Sequence, residues 1–359
     1  MGIVPQPGIM EIALYVGGEA RIAGRDEVLK LSANENPFGP PPSAVASIQA
    51  AAAEIHRYPP TDHGALHRAI AEVHGLDPDR LICGVGSDEV LQFAVQAYAG
   101  PGDEVIHTEH GFSLYPILAL AAGATPVRVA ERARVVDVDA ILAAVTGRTR
   151  IVFVTNPGNP TGTRVPDADL ARLAAALPAS VLLILDGAYA EFVEGFDGGA
   201  SFAASRDNVL MTRTFSKIYG LGGLRVGWGF ACPEIIETLT RIRGPFNLSN
   251  LQIAGAVAAL QDTDFTEKSR SENSRNRALL AKGLAAIGIP SDPSSANFVL
   301  ARFASAEEAE GAFNHLGEQG LITRQVGGYG LPHCLRITVG TEENCRDVIA
   351  ALTSFKAQA

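Results

Sequence analysis

Short apolar runs bounded by turn-forming residues lie at 104–107, 151–155, 181–185, 209–212 and 225–231, each of strand length. Between several of them sit longer Ala/Leu-rich segments of helical character, such as 167–177. That alternation predicts an α/β unit over residues 43–245, with a mostly parallel sheet flanked by helices. After residue 246 the pattern changes. A helical stretch over 251–284, interrupted near Asp262, precedes short strands at 296–302 and 334–339, which predicts a smaller α+β domain over 246–359. Residues 1–42 form an arm rich in Pro and Gly that ends in Pro40-Pro41-Pro42. Proline fixes φ and removes donors, so the arm is expected to lie extended against another element, as part of the small domain and a dimer contact.

In a parallel sheet the ligand sits beyond the carboxyl ends of the strands, and polar residues placed there are the candidates for chemistry. Gly86-Ser87-Asp88 follows the apolar Leu81-Ile82-Cys83 and opens a helical run. Free N–H groups at such a start bind phosphate, although Ser87 or Asp88 can equally be a simple N-cap. Asn156-Pro157-Gly158-Asn159-Pro160-Thr161-Gly162 follows the strand at 151–155 and reads as a tight double turn that also presents Asn159 to a cleft. Asp186 ends a fully apolar strand, with Tyr189 three residues on. A carboxylate there is expensive unless it meets a cation or donors. Thr214-Phe215-Ser216-Lys217 and Gly220-Leu221-Gly222-Gly223-Leu224-Arg225 bring two hydroxyls, an amine and a guanidinium into twelve residues. Such a set suits a phosphate clamp beside a lysine made nucleophilic by desolvation.

Composition narrows the classes. The 359 residues exceed one typical domain, and 47% hydrophobic against 19% charged residues supply an ordinary core. With a net charge of −10 and no dense Lys/Arg cluster, a nucleic-acid partner is not expected. Arg225 and Arg336, in apolar or Gly-rich surroundings, suggest small anions instead. The scattered Cys83, Cys232, Cys334 and Cys345 support neither a disulfide framework nor a zinc knuckle. No secretory signal and no apolar run near the roughly 20 residues of a membrane span is visible, so a soluble, cytoplasmic protein is expected. His63 and His67 have metal-pair spacing but no third ligand in view, and are read as a helix surface, with no metal expected. Gly84-Val85-Gly86 begins like a dinucleotide fingerprint, but Glu89 replaces its last glycine.

Taken in order, these motifs resemble those of the fold-type-I pyridoxal-phosphate aminotransferases, and most closely the histidinol-phosphate branch. The likeness runs nearly end to end: Leu31 to Pro37, Arg57-Tyr58-Pro59, Gly86 to Glu89, Asn156 to Gly162, Asp186 to Phe192, Arg213 to Gly227 and Leu335 to Thr341. The resemblance implies pyridoxal 5'-phosphate as cofactor, with Lys217 as the Schiff-base lysine and proton shuttle. It implies that Asp186 pairs with the ring nitrogen, that Asn159 and Tyr189 donate to the ring oxygen, and that Phe112 stacks on the ring. Ser87, Asp88, Thr214, Ser216 and Arg225 would hold the phosphate, joined by Tyr58 from the second subunit of a homodimer. Arg336, Arg324, Tyr15 and Asn36 would face the substrates, an amino donor and 2-oxoglutarate.

Two departures stand out. Gly187 replaces the family's usual Glu after the aspartate, and Phe112 replaces the common Tyr. The residues leave two donors open, histidinol phosphate and an aromatic amino acid, and Phe246 does not decide between them. A decarboxylase acting on threonine phosphate shares the scaffold. A cofactor-binding regulator would carry an added DNA-binding segment, and none is visible.

Overall fold

Leucine and β-branched runs without polar interruption can be strands only where both faces are covered, and the fold supplies that cover. The computed structural model describes residues 2–14, 17, 21–22, 24–25 and 27–358. Its central sheet has seven strands: β1 (Leu81–Gly84), β2 (Glu104–Thr108), β3 (Thr125–Val129), β4 (Thr149–Thr155), β5 (Leu182–Asp186), β6 (Val209–Thr214) and β7 (Gly227–Phe230). The spatial order is β1-β7-β6-β5-β4-β2-β3. β7 runs antiparallel to both of its neighbours, and the other pairs are parallel. The predicted mostly parallel sheet is therefore present, with the run at 225–231 as its one reversed strand.

Helices cover both faces. The cluster on one face includes Val90, Leu91 and Ala94 of α3 (Ser87–Tyr98), Tyr115 and Leu118 of α4 (Leu114–Ala121), and Ile235 and Leu239 of α8 (Pro233–Ile242). The opposite cluster joins the sheet to α2 (Gly64–His74), α6 (Asp167–Ala176) and α9 (Asn250–Gln261). The helical run expected over 251–284 divides where the sequence marks it. Asp262 caps α10 (Thr263–Ala286), accepting from the Phe265 N–H at 3.2 Å. A boundary expected at residue 246 falls ahead of α9, whose Ile253, Ala256 and Leu260 are buried in the same cluster as the central sheet.

A second sheet, ordered β8-β10-β9, consists of β8 (Phe298–Arg302), β9 (Arg324–Val326) and β10 (Leu331–Thr338), all antiparallel. It packs on α10, α11 (Ala306–Glu318) and α12 (Glu342–Gln358). The arm joins this unit, since Leu29–Lys30 pairs in parallel with Leu321–Ile322 and Leu31 enters its core.

One hairpin clamps the two units together. Between the short strands Glu131–Arg132 and Val135–Val136, Ala133 (φ 51) and Arg134 (φ 62) both adopt the left-handed conformation that non-glycine residues avoid. Arg134 donates through Nε and Nη2 to the two carboxylate oxygens of Asp292, and Arg302 stands 3.7 Å from the same carboxylate. Among the described residues, no helix is long and apolar enough to cross a membrane.

The tightest backbone approach lies where β7 passes the start of α3. A β-carbon at Gly227 would lie 2.0 Å from the Ser87 nitrogen. Gly227→Ala is expected to destabilise the protein by roughly 1–3 kcal/mol or more, because backbone must move to make room. A thermal melt unchanged from wild type would refute that.

Candidate active site

β5 delivers Asp186 to a dry position at the carboxyl edge of the sheet. Burial pushes its carboxyl up to about 6, against the opposing help of the Tyr115 hydroxyl, which donates at 2.8 Å, and the Ala188 N–H, at 3.1 Å. Tyr115 is fixed by stacking on Phe153 with ring centroids 4.2 Å apart, and its hydroxyl also meets that of Thr155. Phe112 lines the cleft edge-on to Tyr115.

β6 delivers the lysine. Beyond Thr214 the chain turns through Lys217 and doubles back, with Gly220 N–H donating to Lys217 O and Leu221 N–H to Phe215 O, each at 3.0 Å. Gly220 (φ 66) is required here, since a β-carbon would lie 2.1 Å from the Gly39 carbonyl oxygen of the arm. Lys217 Nζ donates to Ala33 O at 3.3 Å and lies 5.7 Å from the Tyr189 ring centre. Enclosure, and then the nearby Arg336 cation, lower its amine to about 8. Carboxyl and amine thus deviate in opposite directions, and each ionises less readily than in water.

At the other end of the cleft an anion cradle converges. Gly86 (φ 78) leads into α3, whose first N–H groups face the cleft beside Ser87 and Asp88. Arg225 donates to Ser216 Oγ and Asp88 Oδ2, both at 3.2 Å, and the Thr214 hydroxyl donates to Ser216 Oγ at 3.0 Å. Glycine at 86 keeps this path clear, because a β-carbon would lie 2.5 Å from Arg225 Nη2.

The third end is cationic. Arg324 and Arg336 are directly opposite in the β9–β10 register and both line the cleft. Arg336 donates to Asn159 Oδ1 at 2.6 Å and to Ser32 O at 2.7 Å, and Arg324 donates to Gly17 O. Since Asn159 spends its oxygen on Arg336, its amide N–H groups are left to donate. Tyr189 accepts from Asn34 Nδ2 at 2.9 Å, which leaves its own proton for another acceptor. Burial raises the Tyr189 phenol, so it stays a donor.

These groups fit the implied pyridoxal phosphate. The cradle suits its phosphate, Asp186 a protonated ring nitrogen, Tyr189 and Asn159 its ring oxygen, and Lys217 its aldehyde.

Not every expected residue meets the cleft. Asn36 is turned away, its amide donating to Ile218 O at 2.7 Å and Ser269 Oγ at 3.1 Å, so that it staples the arm to the lysine turn. Asn34, two residues earlier, takes the cleft position, held in a left-handed conformation (φ 56) by Thr338 and Asn297. Tyr58 is 81% exposed and stacks on Phe246, outside this chain's cleft. Tyr15 lies outside the described residues. Asn34, Tyr115, Thr155 and Tyr329 escaped the sequence reading. Tyr115 had one signal, a polar hydroxyl in the otherwise apolar start of a helix.

The helix-surface reading of His63 and His67 needs correction. His63 precedes α2 and is buried, and the ligand atoms of both rings lie within 4.8 Å of one another and of the Cys83 thiol. Arg243 occupies the place beside them, with Nη1 3.1 Å from His63 Nε2, and burial first, then that cation, lowers both imidazoles to about 4. Gly187 is tightly enclosed: a β-carbon there would lie 3.1 Å from Thr212 O.

Comparison with known proteins agrees with this geometry. The sequence pattern of the family "Aminotransferase class I and II" matches residues 26–352. The chain is 65% identical to the histidinol-phosphate aminotransferase of Ruegeria pomeroyi over 98% of each chain. It is 61% identical to that of Dinoroseobacter shibae over 99% of each. Among solved structures, the histidinol-phosphate aminotransferase of Sinorhizobium meliloti in complex with pyridoxal-5'-phosphate superposes with a TM-score of 0.91 at 29% identity, covering 98% of this chain and 97% of that one.

The raised carboxyl of Asp186 carries a stability signature. Because its folded value lies above the ordinary 3.8, the charged form opposes folding, fully above about pH 6 and not at all below about pH 4. In cofactor-free protein, Asp186→Asn is expected to gain stability over wild type as pH rises through that window, by on the order of 2–3 kcal/mol. Denaturant titrations at several pH values measure this, and a difference independent of pH would contradict it.

Proposed function

The chain belongs to the class I and II aminotransferase family, and from that membership we propose that it transfers the amino group of histidinol phosphate to 2-oxoglutarate, giving imidazole acetol phosphate and glutamate, with pyridoxal 5'-phosphate as cofactor. The observation that carries the donor is end-to-end likeness, at 57–65% identity, to relatives that bear this activity in their names. The cleft supports it. One guanidinium suffices for a carboxylate, whereas the Arg324–Arg336 pair suits a doubly charged phosphate ester. An aromatic amino-acid donor is not favoured.

When bound, the cofactor supplies an electron sink conjugated to the donor's nitrogen. Asp186 would hold a proton at the ring nitrogen, since burial leaves its carboxylate poorly solvated despite the donors beside it. Tyr189, fixed by Asn34, and Asn159, fixed by Arg336, aim donors at the ring oxygen. Arg336 anchors the substrate's anionic end and so orients its Cα–H, an effect of position. Lys217, with its amine near 8, is partly neutral at physiological pH and would serve as the base that accepts the proton from the donor's Cα and hands it on. Phe112, backed edge-on by the buried Tyr115, lines the cleft on the large-domain side and would keep water from a bound ring.

The active assembly proposed is a homodimer in which Tyr58 reaches the neighbouring phosphate cradle. Exposed Ile55, Tyr58 and Phe246, at 67%, 81% and 46%, support it, as an apolar patch of this kind favours a partner. A cytoplasmic location is consistent with four unpaired, buried thiols.

Two experiments test the reading. Purified protein should form glutamate from 2-oxoglutarate with histidinol phosphate far faster than with phenylalanine, and borohydride reduction should leave the pyridoxyl group on Lys217 in a peptide mass map. Labelling elsewhere, or comparable rates with phenylalanine, refutes it. For the shared site, Lys217→Ala and Tyr58→Ala chains should each be deficient alone. Their heterodimer should regain one intact site, with Lys217 from one chain and Tyr58 from the other. Failure of the mixed dimer to recover activity would place Tyr58 outside the partner's site.

A further inference from the structure

Tyr329 has no part in the chemistry above, yet it lines the same cleft as Arg324 and Arg336. It ends the turn Gly327–Tyr329 between β9 and β10, the strands that carry the two arginines. The larger unit holds it at both ends. His110 Nδ1 lies 2.7 Å from the Tyr329 carbonyl oxygen and must carry the hydrogen, since a carbonyl only accepts. The Tyr329 hydroxyl meets Ser113 Oγ at 3.3 Å, long for a bond between hydroxyls. His110 and Ser113 flank Phe112, so the wall beside the expected ring position also fixes this tyrosine.

We propose that Tyr329 is a specificity-determining residue of this cleft, giving its hydroxyl proton to the phosphate of the amino donor beside Arg324. The proposal rests on the histidinol-phosphate reading. A phosphate ester presents three oxygens, each able to accept more than one hydrogen bond, so even the two guanidinium forks leave acceptor sites for a separate donor. The α-carboxylate of glutamate has two oxygens, which the Arg336 fork takes up alone. Ser113 can donate to the phenol oxygen and leave the phenol proton directed at the ligand. Tyr329 therefore distinguishes the phosphorylated donor from the substrate both half-reactions must not confuse with it.

The test is Tyr329→Phe, which removes one oxygen from a half-exposed ring. A hydrogen bond to a charged group corresponds to about a tenfold or greater change. KM for histidinol phosphate should rise by about that factor, while KM for 2-oxoglutarate stays within about twofold. Equal losses for both substrates, or no change for either, overturn the proposal. Arg324→Leu provides the benchmark for loss of the same anion. Inorganic phosphate, as an inhibitor of the glutamate half-reaction, separates this proposal from the donor assignment. If wild type ignores histidinol phosphate, the assignment fails, but phosphate inhibition weakened in Tyr329→Phe still supports the anion contact. Inhibition equal in both proteins overturns it.

Discussion

A carboxylate stripped of water at the end of a dry strand is the constraint on which this architecture turns. Val181 to Leu185 can be wholly apolar because helices cover both faces of the sheet, and that same cover withholds solvent from Asp186. Two donors, from Tyr115 and Ala188, do not restore what water supplied, since the carboxyl still rises to about 6. The remaining deficit is a demand for a cation. A protonated aromatic nitrogen would meet that demand, and the amine of Lys217, depressed by the same enclosure and by Arg336, stands within the same walls. Two poorly solvated ionisable groups in one cleft are the mark of a ligand site.

The sequence made legible what burial made uniform. Strands β2, β4, β5 and β6 are buried along nearly their whole length and each carries a run of apolar residues, from two in β2 to four in β4 and β5. β3, an edge strand with Thr125, Pro126 and Arg128, carries no such run, and β9 is three residues long with Arg324 and Gln325. Both were invisible to periodicity for that reason. In the site, residues that end strands or open helices were legible, because topology alone directs them to the cleft. Asn34 and Asn36 show the limit. They share one motif and one chemistry, and only the left-handed backbone at Asn34, imposed by contacts some 260 and 300 residues away, decides which faces inward. His63 and His67 failed in the same way, since their spacing carries no information about Cys83 and Arg243.

Labour is divided between the two units. The larger carries Asp186, Tyr189, Lys217 and the anion cradle, and the smaller presents Arg324 and Arg336 on neighbouring strands. Ser32 to Asn34 thread between them, touching Arg336, Lys217 and Tyr189 in turn. The arginine, the amine and the phenol are therefore linked through a single extended segment of the arm.

The turn at Ala133 and Arg134 gives that meeting a mechanical character. Two consecutive non-glycine residues in the left-handed region hold on the order of 1–3 kcal/mol each. What keeps them there includes the grip of Arg134 on Asp292 across the gap between units. A two-residue hairpin turn demands that conformation at both central positions, so the pairing of Glu131 with Val136 and of Arg132 with Val135 presents Arg134 already shaped for Asp292. The joint between the units is a rigid hook set by local strand pairing.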